Sequence, residues 1–243
     1  MGTVDPQEIK NFTQAAEQWW DEQGAFALLH KINPLRLRFI RDEITSHFQL
    51  PMTATHPYQD LSILDIGCGG GILCEPLTRL GAAVLGIDAG QENIEAAQAH
   101  AELQALPITY QCTTAEELST QGRTFDVVTA LEIVEHVADV PQFLEACCAL
   151  VKPGGLLILS TLNRTLQSFL LGIVAAEYVL RLVPRGTHTW QKFCEPAELA
   201  GPLEAHGCTL KSLRGMTFSP LRRQWELSDD LKVNYLVCAE KKK

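Results

Sequence analysis

The sequence predicts an α/β protein with a doubly wound, mostly parallel sheet of seven strands flanked by helices. From residue 61 to 162, short apolar segments that suit buried strands alternate with helical segments, which is typical of a parallel sheet. Two further strand-like segments, CTLKSLRGMTF and KVNYLVCAE, follow a late helix and predict an antiparallel edge. A length of 243 residues fits one domain over 1–243.

A helical preface is predicted over residues 5–48. Asp5 is placed to cap a first helix with Pro6 in its first turn, and Asn33 and Pro34 are placed to open a second helix, LRLRFIRDEI. Two prolines and scattered polar residues between Leu50 and the first strand predict a linker. The helical preface is therefore expected to precede the main fold and to join it through this linker.

The core over 61–162 is predicted to contain five parallel strands joined by right-handed helical crossovers. The strand segments are LSILDIG, AVLGID, ITYQCT, TFDVVTALEI and PGGLLILSTL. The helical segments between them are ILCEPLTRLG, QENIEAAQAHAELQA and VPQFLEACCALV. Residues 164–190 form an apolar insertion after the fifth strand, and 191–243 supply the last helix and the closing strands.

The charge and the cysteine content exclude several classes of protein. A net charge of −9 argues against a broad nucleic-acid surface, which needs clustered lysine and arginine, so no nucleic-acid partner is expected. Eight cysteines without a C-x-x-C pair give no zinc or redox motif and predict buried free thiols in a reducing compartment. The N-terminal residues show neither a secretory signal nor an organelle presequence.

A glycine-rich loop follows the first strand and opens the first core helix. It reads Asp65-Ile66-Gly67-Cys68-Gly69-Gly70-Gly71, and glycines let a backbone pass close to a ligand. A dinucleotide loop would carry glycine at the position of Ile72, so a nicotinamide dehydrogenase is the least favoured function. The spacing instead resembles the S-adenosylmethionine loop of class I methyltransferases.

Acidic residues after the first three strands complete the predicted cofactor site. Asp88 ends the second strand about 20 residues beyond the loop, where a carboxylate can accept hydrogen bonds from both ribose hydroxyls. Asp65 is expected to hold the loop and reach toward the amino-acid part of the cofactor. Ala115 and Glu116 follow the third strand, where folds of this kind hold adenine.

The segment Glu132-Ile133-Val134-Glu135-His136 follows the fourth strand at the carboxyl edge of the sheet. If it is helical, Glu132, Glu135 and His136 share one face and could hold a divalent cation, with Mg²⁺ expected and zinc, manganese or iron left open. A metal would lower the pKa of a bound catechol oxygen. Without a metal, His136 becomes the general base. In a third interpretation, Glu132 is a positioning residue and Glu135 is a cap or a surface charge.

Together these residues resemble one family, the ubiquinone-biosynthesis O-methyltransferases, which methylate polyprenylated catechols. The similarity covers nearly the whole chain, and its most specific parts are WWD, EIVEHV and GTHTW. The other matching segments are NPLR, LDIGCGGG, LVKPGG, STLNR and the VPR that precedes GTHTW. The resemblance implies an S-adenosylmethionine-dependent enzyme for both O-methylation steps, including demethylubiquinol to ubiquinol.

The resemblance also implies roles for single residues. Arg36, Gly67, Asp88 and Leu131 match positions that contact S-adenosylmethionine, and a guanidinium such as that of Arg36 can grip the cofactor carboxylate through two parallel hydrogen bonds. Glu132, Glu135 and His136 match the divalent-metal site of the family, which gives them a combined catalytic and metal-binding role. Other proteins of ubiquinone biosynthesis are implied as possible partners.

The apolar insertion, LQSFLLGIVAAEYVLRLV, has two interpretations. It is either a buried core helix or a lid over 165–185 that lies against a membrane and admits a polyprenyl tail, and the lack of a polar face favours the lid. Arg164, Arg181 and Arg185 could meet anionic head groups, and His188 and Trp190 could line the entrance. The expected location is the bacterial cytoplasm at the inner membrane, or the mitochondrial matrix face in a eukaryote.

Two other functions remain open on the sequence. The first is O-methylation of another small phenolic substrate, or methylation at carbon, against which the apolar insertion argues. The second is a scaffold that holds S-adenosylmethionine without catalysis, against which the intact EIVEHV segment argues.

Overall fold

The computed structural model describes residues 3, 9, 13, 15–51, 53–169, 190–219 and 221–243. Its centre is one eight-stranded sheet with the order β3-β2-β1-β4-β5-β8-β6-β7. The five strands β1 to β5 are parallel, and β8, β6 and β7 extend the sheet in antiparallel fashion from β5. The α/β prediction is confirmed.

The elements follow one another in the order expected of a doubly wound fold. The strands are β1 Ser62–Ile66, β2 Ala83–Asp88, β3 Thr109–Cys112, β4 Phe125–Leu131, β5 Val151–Leu162, β6 Cys208–Ser219, β7 Gln224–Ser228 and β8 Asn234–Lys241. The helices are α1 Ala27–Phe48, α2 Cys74–Arg79, α3 Gln91–Leu103, α4 Ala115–Ser119, α5 Val140–Leu150, α6 Leu166–Ser168 and α7 Pro196–Ala205. Short 3₁₀ helices cover Ala16–Gln18, Val134–His136 and Trp190–Lys192.

Two details of the predicted architecture are wrong. The sheet has eight strands and not seven, because the polar segment QWELS forms β7 as the partner of the end of β6. Helix α1 begins at Ala27 and contains Pro34, which was predicted to open the helix. An internal proline costs a helix about 3 kcal/mol, and the burial of the apolar residues of α1 against the sheet offsets that cost.

The two faces of the sheet are covered by different helices. Alternate residues of a strand point to opposite faces, so Leu64 packs with residues of α5 and α7, whereas Ile63 packs with residues of α1, α2 and α3. Most buried residues on both faces of the central strands are apolar, as expected for a parallel sheet. This double cover leaves the carboxyl edge of the strands as the place where polar loops can hold a ligand.

Most of the predicted apolar insertion lies outside the residues that the structure describes. Residues 170–189 are not among the described residues, and they include Arg181, Arg185, His188 and most of the predicted lid at 165–185. The predicted first helix cap, Asp5 with Pro6, also lies outside the described residues. Trp190 is described, and its indole nitrogen donates to the carbonyl of Thr165 at 3.0 Å. Among the described residues, no helix has the length and apolar content needed to cross a bilayer.

Candidate active site

The glycine loop connects β1 to α2 and carries the backbone geometry that the sequence predicts. Gly67 and Gly69 have φ of +68° and +52°, in the left-handed region that favours glycine. A Cβ at Gly67 would overlap the side chain of Ile133, and one at Gly69 would overlap the indole of Trp19. The loop is therefore held tightly between the preface and the segment that follows β4.

Asp65, the fourth residue of β1, is buried beneath this loop and is 3% exposed. Its carboxylate accepts hydrogen bonds from the Thr129 hydroxyl at 2.7 Å and from the Cys74 thiol at 3.3 Å. Burial raises the pKa of Asp65 to about 6, which the two hydrogen bonds only partly offset. Asp65 thus ties the loop to β4 and α2, as the predicted loop-holding role requires.

Asp88 ends β2 next to the same loop. One carboxylate oxygen accepts from the Gly69 amide at 3.0 Å, and the other accepts from the Gly90 amide at 2.8 Å and from the Asn93 side chain at 3.0 Å. Burial raises the pKa of Asp88, and these donors oppose that effect. Its orientation is fixed by the protein. The oxygen that accepts from Gly90 and Asn93 is fully engaged, and the oxygen that accepts from Gly69 keeps acceptor capacity for a ribose hydroxyl.

The preface packs directly on the loop, a contact that the sequence did not predict. The Trp19 indole nitrogen donates to the Asn93 amide oxygen at 2.9 Å, and the Trp20 indole nitrogen donates to the Gly70 carbonyl at 3.0 Å. Trp20 also stacks on His100 of α3 with ring centroids 3.5 Å apart. The WWD motif therefore links the preface to Asp88 through Asn93.

Ala115 and Glu116 begin α4 after β3, as expected for the predicted adenine region. Ala115 is buried, whereas Glu116 is partly exposed and accepts a hydrogen bond from the Thr3 hydroxyl. The Thr3 carbonyl accepts from the Ala138 amide at 2.7 Å. Thr3 therefore joins the predicted adenine region to the segment that follows β4.

The acidic segment begins where β4 ends, at Leu131, which pairs with Ser160 of β5. Glu132 takes a left-handed backbone conformation, with φ of +56°, which is uncommon outside glycine. Its Oε1 accepts from the Ser160 hydroxyl at 2.7 Å and lies 2.9 Å from Nη2 of Arg36. The buried Nε of Arg36 has no hydrogen-bond partner among the described residues.

Glu135 is the second acid of the segment and is 3% exposed. Its Oε2 accepts from the Thr161 hydroxyl at 2.7 Å, whereas its Oε1 has no hydrogen-bond partner within the described part of the chain. Burial, with a contribution from the Glu132 charge, raises its pKa to about 7, and His136 acts in the opposite direction. A buried carboxyl with a raised pKa and one oxygen without a hydrogen-bond partner in the described ranges therefore lies at the carboxyl edge.

The geometry assumed for the metal site is wrong. Only Val134–His136 is helical, as a single 3₁₀ turn, so Glu132, Glu135 and His136 do not lie on one α-helical face. In the described ranges, no three histidine, cysteine, aspartate or glutamate residues form a group that could hold a metal ion. The Oε1 of Glu132 is already engaged by Arg36 and Ser160.

The structure thus brings most of the predicted residues to one edge of the sheet. Gly67 contacts the post-β4 segment through Ile133, and Arg36 reaches the same segment from α1. The residues missed from the sequence are supporting ones, namely Trp19, Asn93, Ser160 and Thr161. Of these, Trp19, Ser160 and Thr161 belong to motifs that were recognised without an assigned role, WWD and STLNR.

Comparison with known proteins agrees with this fold. The family model described as a methyltransferase domain matches residues 64–159. The crystal structure of magnesium protoporphyrin IX methyltransferase from Synechocystis, with bound SAH, aligns with a TM-score of 0.64 over 96% of this chain and 94% of that chain, at 20% identity. The [4+2]-cyclase SpnF aligns with a TM-score of 0.63 over 99% and 98% of the two chains, at 13% identity. These similarities establish the fold alone.

Similarity to curated relatives is much closer. The ubiquinone biosynthesis O-methyltransferase of Nitrobacter winogradskyi is 52% identical over 98% of this chain and 91% of its own length. The protein of the same name from Parvibaculum lavamentivorans is 49% identical over 98% and 94% of the two chains. This chain belongs to the ubiquinone biosynthesis O-methyltransferase family, within the class I S-adenosylmethionine-dependent methyltransferases.

Proposed function

We propose that this protein methylates a catechol hydroxyl of polyprenylated ubiquinone precursors, including the conversion of demethylubiquinol to ubiquinol. The observation that carries the proposal is the acidic segment beside the glycine loop, where Glu135 is buried and its Oε1 has no hydrogen-bond partner within the described residues. The names of the curated relatives support the pathway. Both O-methylation steps use the same chemistry, so one site can serve both.

The cofactor is proposed to lie across the glycine loop. Asp88 accepts hydrogen bonds from the ribose, Ala115 and Glu116 bound the adenine, and Leu131 packs beside it. Arg36 is proposed to bind the cofactor carboxylate, for which its buried Nε has an unused donor. Gly67 and Gly69 let the backbone approach the cofactor where a Cβ would intrude.

Proton removal is assigned to the residues after β4. A phenol titrates near pH 10, so its oxygen becomes a strong nucleophile only when a base accepts the proton. A base with a pKa near the working pH is the most effective, and Glu135 meets this condition because burial raises its pKa to about 7. Glu135 is proposed as this base, with His136 as the alternative base. The phenolate oxygen then attacks the methyl group in line with the departing sulfur, and placement supplies much of the acceleration.

A divalent metal, with Mg²⁺ as the expected ion, stays a prediction from the family resemblance. When bound, such an ion would lower the pKa of the catechol oxygen. The residues do not fit it as they are placed, because Glu132 is engaged by Arg36 and no three-ligand group is present in the described ranges. No step of the reaction is therefore assigned to a metal.

The deciding experiment is methyl transfer from labelled S-adenosylmethionine to a short-tailed polyprenyl catechol, with and without chelator. Glu135→Gln is compared with wild type and with Glu145→Gln, an exposed glutamate on α5. We expect turnover in wild type and Glu145→Gln and a loss of about 100-fold or more in Glu135→Gln. Turnover that survives the chelator would exclude the metal, and no turnover despite cofactor binding would overturn the proposed substrate.

Membrane contact is part of the same proposal. A polyprenyl substrate resides in a bilayer, so we propose that the protein works in the bacterial cytoplasm at the inner membrane and contacts it through 165–185. Leu166 and Phe169, at the start of this segment, are 73% and 38% exposed. Exposed apolar side chains of this kind support membrane contact.

A further inference from the structure

Asn163 directly follows the last residue of β5 and is held in one orientation by the segment that precedes β8. Its backbone amide donates to the Val233 carbonyl at 2.9 Å, and its side-chain Nδ2 donates to the Leu231 carbonyl at 2.8 Å. The hydroxyl of Thr165, two residues further on, donates to the Lys232 carbonyl. Three successive carbonyls therefore hold this part of the carboxyl edge in place.

The hydrogen bond to Leu231 fixes which atom of the Asn163 amide is the acceptor. A backbone carbonyl can only accept, so the atom that faces Leu231 is the amide nitrogen and the other atom is Oδ1. Asn163 is 8% exposed, and its Oδ1 has no hydrogen-bond partner among the described residues. A buried acceptor in this condition is unusual and costly, and it requires a donor from a ligand or from water.

A second acceptor of the same kind lies on the same face of β5. In the part of the chain that the structure describes, the buried side-chain atoms without a partner include two that can only accept, Oδ1 of Asn163 and Oε1 of the Glu135 carboxylate. The Thr161 hydroxyl donates to the other oxygen of Glu135 at 2.7 Å. The Asn163 amide continues the ladder between β5 and β8, so Thr161 and Asn163 share one face of the strand. Two residues of a strand span roughly 7 Å, so one substituted aromatic ring can reach both acceptors.

The topology places Asn163 on the substrate side of the site. In the sheet order, β4 separates β5 from the glycine loop that follows β1. The residues proposed to bind the cofactor follow β1, β2 and β3, or belong to α1 and the end of β4. Asn163 lies one strand beyond them, beside Glu135. Its acceptor is therefore placed for a donor on the substrate rather than on the cofactor.

We propose that Asn163 is a specificity-determining residue that accepts a hydrogen bond from the second hydroxyl of an ortho-dihydroxy aromatic substrate. The reacting hydroxyl lies toward Oε1 of Glu135, and the neighbouring hydroxyl donates to Oδ1 of Asn163. A monophenol leaves this buried acceptor unpaired and is therefore bound less tightly. The inference rests on the proposed function, because it assigns a residue to the second hydroxyl of the same catechol.

The test measures by calorimetry how tightly the full chain, saturated with S-adenosylhomocysteine, binds a short-tailed polyprenyl catechol and the matching monophenol. Wild type should prefer the catechol by about tenfold or more, because the monophenol cannot satisfy the acceptor. Asn163→Ala should bring the two affinities within about threefold of each other. Asn163→Asp also loses the donor to Leu231 but keeps an acceptor, so it should retain the preference for the catechol.

Asn234→Ala is the matched control, because Asn234 is a second buried asparagine at the start of the neighbouring strand β8. Its Oδ1 accepts from the Met216 amide at 3.1 Å. The adjacent Tyr235 packs with Leu159 on the face that Asn163 shares, so Asn234 lies on the opposite face. This variant should lower the melting temperature and keep the preference for the catechol.

Three results would overturn the inference. The first is a wild type that binds catechol and monophenol equally, which is informative whatever the stability of the variants. The second is an Asn163→Ala variant that keeps the wild-type preference. The third is loss of the preference in Asn163→Asp or Asn234→Ala as well, which would assign the effect to packing at this edge. Turnover of the catechol is measured with the same proteins, and a wild type that shows the preference without methylating the catechol would refute the proposed reaction alone.

Discussion

Replacing Glu135 with glutamine should remove a pH-dependent loss of stability. Glu135 is fully buried, and its carboxyl has a folded-state pKa of about 7 against 4.5 for the free side chain. Between these values the folded protein binds more protons than the unfolded chain, so stability decreases as the pH rises through this window. The glutamine variant has no proton to lose at this position.

The expected magnitude follows from the size of the pKa shift. One pKa unit corresponds to about 1.36 kcal/mol, so the full shift corresponds to roughly 3 kcal/mol. Over a practical range of about pH 5 to about pH 8.5, the unfolding free energy of wild type minus that of Glu135→Gln should decrease by roughly 2–3 kcal/mol. Asp65 also has a raised pKa, but its contribution is common to both proteins and cancels.

Urea denaturation of both proteins at a series of pH values measures this difference. Glu145→Gln, which changes an exposed glutamate, should follow the wild-type curve within about 0.5 kcal/mol. A flat difference between wild type and Glu135→Gln would refute the assignment of a raised pKa to Glu135. The same denaturation curves with added magnesium test metal binding independently of activity. A cation bound by Glu135 would lower the pKa of its carboxyl, so the unfolding free energy of wild type would depend less on pH.

Three further changes test the cofactor loop. Gly67→Ala should abolish S-adenosylmethionine binding measured by calorimetry, because the added Cβ would overlap Ile133. The control is Gly122→Ala, because Gly122 has the same φ of +68° but open space around it. This control should only lower the free energy of unfolding, by about 1–2 kcal/mol. Asp88→Asn should weaken cofactor binding by about tenfold or more with little loss of secondary structure by circular dichroism; unchanged affinity would contradict its ribose role. Trp19→Phe keeps the apolar ring but removes the indole donor to Asn93, so it should reduce cofactor affinity more than thermal stability, and an effect on melting alone would indicate a purely structural role.

Periodicity and motif spacing were sufficient to predict the parallel half of the sheet. Each apolar segment from LSILDIG to PGGLLILSTL became the expected strand, because strands buried on both faces need uninterrupted apolar runs. The strand β7 was missed because QWELS is largely polar and lies at the edge of the sheet, where only pairing with β6 specifies it. Helix α1 was predicted too short because Pro34 was given more weight than the apolar face around it.

The site was predictable in its parts but not in its connections. The spacing from Gly67 to Asp88 indicated the cofactor loop, since a glycine turn and a carboxylate at the next strand end are local features. The pairing of Arg36 with Glu132 depends on α1 crossing the end of β4, which no local pattern encodes. The left-handed backbone conformation of Glu132 likewise could not be predicted from the sequence, because glutamate rarely adopts a positive φ.

The position of β8 has a consequence for how the fold is completed. This strand follows β6 and β7 in the chain, yet it lies between them and the parallel strands. During synthesis, β5 therefore keeps an unpaired edge, and the β6–β7 hairpin has no sheet to join, until β8 has emerged. Premature termination before Asn234 would leave an open edge on β5 that favours aggregation, and the β6–β7 hairpin would have no strand of the sheet to pair with.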